Sequence, residues 1–173
     1  MELLNSFKTC PACRRKSLTL SNKKIITCQN CRFVYFHNTA AAVAAIIEHY
    51  SRILLVKRAK DPMASSLDLP GGFVDYNESA EKALIREVRE ELNIEIQNLK
   101  FLTSLPNIYI YKHIEYHVLD IFFTCRAVHI EDIKPNDEVT DFYFLKPQDI
   151  PLDEIAFEST KKALTFYQNN LPA

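Results

Sequence analysis

The chain has 173 residues, 47% of them hydrophobic and 25% charged, with a formal net charge of −1. This composition suits one domain, or one domain with a small appendage, and excludes disordered and collagen-like chains. No apolar run reaches the length of about 18 residues that a spanning helix needs, so no membrane partner is expected. The opening residues, Met1-Glu2-Leu3-Leu4-Asn5, lack the basic-then-apolar pattern of a secretory signal, which makes the cytoplasm the expected compartment. The charge is uneven, however. Residues 1–37 hold seven basic side chains and one acidic, whereas residues 75–95 hold three basic and seven acidic.

Four of the five cysteines fall in the basic segment, as Cys10-Pro-Ala-Cys13 and Cys28-Gln-Asn-Cys31. Two CxxC pairs separated by fourteen residues have the spacing of a four-thiolate Zn²⁺ site, in which each pair forms a knuckle aiming two sulfurs at one ion. Two disulfides are the competing reading, disfavoured by a reducing compartment. A ribbon of roughly 30 residues cannot bury a sufficient core, so the metal would supply much of its folding free energy. The expected division is a zinc ribbon over 1–37 and a body over 38–173. The ribbon's Arg14, Arg15, Lys16, Lys23, Lys24 and Arg32 leave nucleic-acid binding open, and such a ribbon also serves as scaffold or homodimer contact. The fifth cysteine, Cys125, lies in an apolar run and reads as a packing residue.

Past the ribbon, Thr39–Ile47 and Arg52–Arg58 read as strands around a turn at 48–51, and 59–69 reads as a loop broken by Asp61-Pro62. Glu78 to Asn93 is the clearest helix: Leu84, Val88 and Leu92 recur every four residues, with start signals at Asp75, Asn77 and Glu78 and a left-handed stop at Asn93. Strand-like runs follow at 95–102, 108–111 and 115–128, then a turn at 135–138, a short strand from Asp141 and a closing helix over 155–170. Strands, helix, strands, helix describe an α+β or mixed α/β body.

On the 78–93 helix, at about 100° per residue, Glu91 lies about 40° and Glu90 about 60° from Glu87. Like charges on one face repel, by about 0.2–0.5 kcal/mol per exposed pair. Arg86 and Arg89 relieve some of this from other faces. Clustered hard oxygen ligands beside a packed face suit Mg²⁺ or Mn²⁺; the alternative is a polar face with surface ion pairs. Just upstream stand the only two glycines, Gly71-Gly72. A glycine pair marks a positive-φ turn or a close backbone approach, and a glycine loop feeding a helix can come close to phosphate and metal. Pyrophosphate with a divalent cation is the ligand class such a site suits.

The run Gly72-x5-Glu78-x7-Arg86-Glu87-Val88-x-Glu90-Glu91-x-Asn93-Ile94 resembles the Nudix box, G-x5-E-x7-R-E-U-x-E-E-x-G-U with U aliphatic. The last glycine is Asn93 here, and Asn is the next most tolerant residue at positive φ. The resemblance covers 23 residues of box and, through strand order, about 39–170. It implies a Nudix α/β/α sandwich with a mixed sheet, preceded by the zinc ribbon, a layout similar to NADH pyrophosphatase. It also implies a Mg²⁺- or Mn²⁺-dependent pyrophosphohydrolase acting on a nucleoside diphosphate linked to another moiety, of ADP-ribose, NADH or nucleotide-sugar type. By that resemblance Glu87 and Glu91 are the principal metal ligands and Glu90 a further ligand or base. Arg86 orients a carboxylate, Glu78 supports it, and the carbonyl of Gly71 or Gly72 completes the metal shell. Glu138 is a further metal-binding or basic glutamate, or else an exposed loop acid. The post-box substrate motif of the NADH branch is absent: 103–109 reads Thr-Ser-Leu-Pro-Asn-Ile-Tyr and the chain has no Trp. Tyr109, Tyr111, Tyr116 and Phe142 are candidates for stacking on a base or for the core, and His113 and His117 for phosphate contact or plain surface. The rival to an enzyme is a nucleotide-sensing Nudix module that binds nucleic acid through its ribbon.

Overall fold

The computed structural model describes residues 7–112 and 114–171. The chain divides into two compact units, Met1–Thr39 with Ile108–His117, and Ala40–Asn107 with Val118–Ala173. Residues 108–117, read from sequence as part of the body, thus cluster with the N-terminal segment.

The first unit carries a three-stranded antiparallel sheet, β1 (Leu18–Ser21), β2 (Ile25–Cys28) and β3 (Val34–Phe36), in that spatial order. Each CxxC closes in the same way: Arg14 N–H donates to the Cys10 carbonyl and Arg32 N–H to the Cys28 carbonyl, with both arginines at φ 62°. The four sulfurs converge to within 4.8 Å of one another. Cys10–Cys31 and Cys13–Cys28 are 3.6 Å apart, and all five cysteines are free thiols. A tetrahedron of thiolates around zinc has edges of roughly 3.8 Å, given Zn–S near 2.3 Å. The cluster is therefore consistent with a zinc ribbon and not with paired disulfides. Backbone N–H groups, that of Cys31 foremost, lower the Cys28 thiol to about 6, while the Cys31 thiol moves the opposite way.

The second unit is built on a mixed seven-stranded sheet. Its main path is β10 (Val139–Leu145), β5 (Arg52–Arg58), β4 (Ala40–His49), β9 (Ile114–Ala127), β8 (Ile96–Tyr111), with β6 (Leu67–Asp68) on β5 and β7 (Gly71–Phe73) on β4. Only β4 with β9 is parallel among the registered pairs. Side-chain alternation sends Val43, Ala45 and Ile47 of β4 to one face, where α1 (Ala80–Leu92) buries Ala83, Leu84, Val88 and Leu92. Ile46 of the same strand goes to the other face, against Ala163, Leu164 and Tyr167 of α2 (Glu158–Asn169). The alanine run is a strand, not a helix, because both faces of β4 are covered and small side chains let the layers close. The unit is thus an α/β/α sandwich. Burial of each large α1 side chain contributes about 1.5–3 kcal/mol. No helix of the described residues is long and apolar enough to cross a membrane.

Several elements differ from the sequence expectation. The stretch expected as a loop holds β6, and the glycine pair lies in strand β7, not in a loop. Helix α1 starts two residues later than expected: Ser79 is its N-cap and accepts from Lys82 N–H, while Asn77 sits at φ 65° in the preceding turn. Asn93 ends it at φ 57°, as expected. Runs 95–102 and 108–111 are one strand through Pro106, which the sheet tolerates because β8 is an edge. Ile155 is not helical; it bridges Leu67, and α2 begins at Glu158.

The glycines are required by close approach. In the β4–β7 register Gly71 stands opposite Ala44 and Gly72 opposite Val43. A Cβ on Gly71 (φ 152°) would collide with the Val43 carbonyl oxygen. A Cβ on Gly72 would meet the Glu87 carboxylate at 2.5–2.6 Å. Gly71→Ala is expected to destabilise the fold by about 1–3 kcal/mol in urea denaturation; a change under about 0.5 kcal/mol would contradict this packing.

Candidate active site

Helix α1 presents its acids to strand β7. Glu91 accepts the Gly71 N–H at Oε2, 3.0 Å, and burial lifts its carboxyl to about 8, helped by the negative charges of Glu87, Asp68 and Glu138. Glu87 lies one turn earlier with its carboxylate against Gly72. Burial raises it also, and Arg86 opposes that rise. Glu90 is more exposed, at 58% of its side chain. The three acids named from the helix wheel are therefore unequal: two are pressed against the glycine strand and the third faces water.

Arg86 organises the approach to them. Its Nη2 and Nε grip Glu78 at 2.6 and 3.3 Å, its Nη1 reaches Glu87 at 2.7 Å and Glu90 at 3.2 Å, and Nη2 also donates to the Phe73 carbonyl at 2.9 Å. It does not lie on a face apart from the acids, as the wheel suggested, because its long side chain folds across to Glu87 and Glu90. The same guanidinium fork ties the helix to the turn before it and to β7. Glu78 in addition accepts the Asp75 N–H, and Arg86 holds its carboxyl below the ordinary range.

Glu138 comes from the loop before β10. That loop docks on the C-terminal end of α1 through Lys134 N–H to the Leu92 carbonyl and Asn136 N–H to the Glu91 carbonyl, and Asn136 Oδ1 accepts the Glu138 N–H at 2.8 Å. Glu138 pairs with Lys60 at 2.9 Å. Its charge acts on both Glu87 and Glu91.

Two features escaped the sequence reading. Asp68, 7% exposed, accepts from Leu69 N–H, Thr160 Oγ1 and Arg58 Nη1; its burial lifts it to about 6. An acid enclosed by leucines two residues before Pro70 was the available signal. Lys60 is the other. Among the remaining candidates, Phe142 packs against the α1 core cluster, so the core reading holds for it, and Cys125 is buried there as expected. Tyr109, Tyr111, Tyr116 and His117 belong to the unit that carries the cysteines. His113 lies outside the described residues.

Could this constellation hold a divalent cation? Glu87 and Glu91 carry hard oxygen donors, both are raised by burial, and the glycine backbone beside them has no side chain to obstruct an ion. Those features fit an oxygen-coordinated cation. Among the described residues only the four cysteines converge as a ready metal cluster; Glu87 meets Arg86 through Oε1 and Glu91 meets the Gly71 N–H through Oε2.

A carboxyl raised in the folded state binds a proton there that the unfolded chain releases, so its contribution favours folding at low pH. Between the ordinary 4.5 and about 8, metal-free stability should fall as pH rises, by at most about 1.4 kcal/mol per pH unit from this group. Glu91→Gln should reduce that slope. Urea midpoints across this range check it, and an unchanged slope would contradict the burial of the Glu91 charge.

A family model for the NUDIX domain matches residues 37–165. An ADP-ribose pyrophosphatase of Methanocaldococcus jannaschii is 32% identical over 130 residues, covering 74% of this chain and 72% of that protein. The NAD-capped RNA hydrolase NudC of Escherichia coli is 30% identical over 105 residues, 61% of this chain but only 40% of that protein's length. In fold, a NUDIX hydrolase from Nitrosomonas europaea superposes with a TM-score of 0.71 at 23% identity, over 95% of this chain and 94% of that one. Nudix hydrolases generally use divalent metals, which agrees with the donor chemistry of the acids on α1. With the family model spanning most of the sandwich and its acidic helix, the chain belongs to the Nudix family of pyrophosphohydrolases.

Proposed function

We propose that the chain hydrolyses the pyrophosphate of a nucleoside diphosphate linked to a second moiety, with an ADP-ribose-type compound as the first candidate. NADH, a nucleotide sugar and an NAD-capped RNA end are further candidates of the same linkage. The observation that carries the reading is the pair Glu87 and Glu91, half-buried one helical turn apart against the glycine strand, with both carboxyls raised by desolvation. Similarity to the M. jannaschii ADP-ribose pyrophosphatase over nearly three quarters of both chains supports the substrate class.

In this reading Glu87 and Glu91 hold Mg²⁺ or Mn²⁺, with Glu90, Glu138 and a Gly71 or Gly72 carbonyl available to complete the shell. Such a cation, when bound, neutralises diphosphate charge and acidifies a water. The chain's own groups do the rest. Arg86 is saturated by Glu78, Glu87, Glu90 and Phe73, so it fixes the acids and does not contact substrate. A carboxylate at the rim, Glu138 or Glu90, takes the proton from the attacking water as the phosphoanhydride breaks. Glu78 keeps Arg86 in position. The products are a nucleoside monophosphate and a second phosphate ester. In the other unit the four cysteines hold a structural Zn²⁺.

A panel of ADP-ribose, NADH, diadenosine polyphosphates, nucleotide sugars, nucleoside triphosphates and NAD-capped RNA, each with Mg²⁺ or Mn²⁺, tests the substrate. Monophosphate release, fastest with ADP-ribose, is the expected result. Glu87→Gln and Glu91→Gln should each lower kcat at least about 10²-fold with unchanged circular dichroism. Binding without hydrolysis of any member, or full activity in both variants, would contradict the reading. Metal analysis of the purified chain should find roughly one zinc per chain, lost in Cys10→Ser.

A further inference from the structure

The acids around α1 create a field hostile to the diphosphate they are proposed to serve. Arg86 cannot relieve it for the substrate, because its guanidinium already meets two carboxylates on α1, Glu78 and the Phe73 carbonyl. Arg58 is committed as well, to the Pro62 carbonyl and to buried Asp68. Lys60 is different. Its Nζ lies 2.9 Å from Glu138 Oε1, and both side chains are more than half exposed, at 59% and 55%. An exposed pair of this kind is worth little and exchanges readily.

What is firm is the backbone beneath the pair. Ala59 N–H donates to the Glu138 carbonyl at 2.9 Å, so the residue beside Lys60 is zipped to the residue that carries its partner. The Lys60 loop is closed on itself by Arg58 N–H to the Ser66 carbonyl, Ser65 N–H to the Arg58 carbonyl, and Arg58 Nε to the Pro62 carbonyl. Lys60 therefore stays at the rim of the acidic site whether or not its ammonium holds Glu138. A weak ion pair on a fixed hinge is a cation in reserve.

We propose that Lys60 is a substrate-binding residue: its ammonium caps Glu138 in the metal-free protein, and on loading it leaves Glu138 to the cation or the proton and pairs with a non-bridging oxygen of the diphosphate. This rests on the function proposed above. It implies two effects of opposite sign. Removing the lysine frees Glu138, which favours the cation, and strips a contact from the diphosphate, which disfavours the substrate. A lysine that merely props the Glu138 loop would move both in the same direction.

The experiment compares wild type, Lys60→Ala and Lys60→Arg. Mn²⁺ alone is titrated into metal-free protein by electron paramagnetic resonance, and ADP-ribose hydrolysis is followed at saturating Mg²⁺. Lys60→Ala should bind Mn²⁺ about two- to five-fold more tightly, the fold-change of an exposed ion pair, and show KM raised at least about ten-fold with a smaller change in kcat. Lys60→Arg should restore KM to within about three-fold of wild type. If Lys60→Ala leaves KM unchanged, or weakens Mn²⁺ binding and catalysis together, the role of Lys60 is overturned while the site reading stands. If the wild type itself neither binds Mn²⁺ nor hydrolyses ADP-ribose, the site reading falls and the lysine's role with it.

Discussion

Two carboxylates pressed into a sheet edge set the terms for the rest of this molecule. Glu87 and Glu91 stand one helical turn apart on α1, and β7 meets them with backbone alone. A Cβ on Gly72 would occupy the space of the Glu87 carboxylate, and the Gly71 N–H is spent on Glu91. Burying two like charges at this separation is costly unless something positive joins them. The protein supplies one guanidinium to Glu87 and one N–H to Glu91. In the proposed function a divalent cation makes up the remaining imbalance.

Around that pair the fold works as a positioning frame. The α1 face beside the acids is locked into the core by Leu84, Val88 and Leu92, so the helix cannot rotate its charges toward water. Arg86 fastens the helix to β7 and to the turn before it. The loop bearing Glu138 hangs from the last carbonyls of α1, and the Lys60 loop hangs from Glu138 in turn. Asp68 fixes the start of the Leu69-Pro70 segment, and through Thr160 it ties α2 to the same edge. Each connection brings a chain segment distant in sequence to one rim by backbone or buried hydrogen bonds.

How far each part could be read in the sequence follows from the range of the interactions that fix it. The α1 acids and their glycine neighbours lie within 23 residues, and helical period, left-handed Asn93 and the lone glycine pair are all local signals. The CxxC spacing is likewise local. The helix start was misplaced because Asp75, Asn77 and Ser79 are all cap-like, and only the Lys82 N–H bond to Ser79 decides among them. Ile155 kept helical spacing but was claimed by Leu67 across the fold. Glu138 was found by resemblance to a family, since nothing near it in sequence says that Asn136 docks on Glu91. Lys60 and Asp68 had no such aid: Lys60 pairs with a residue 78 positions away and Asp68 accepts from one 92 positions away, and neither belongs to a periodic pattern.

In the proposed function Glu87 and Glu91 seat a divalent cation. A crystal structure of the protein grown with Mn²⁺, read by anomalous scattering, tests it most directly. A manganese peak bonded to carboxylate oxygens of both residues is the expected result. Manganese bound elsewhere, with Glu87 still on Arg86 and Glu91 still on Gly71, would contradict it.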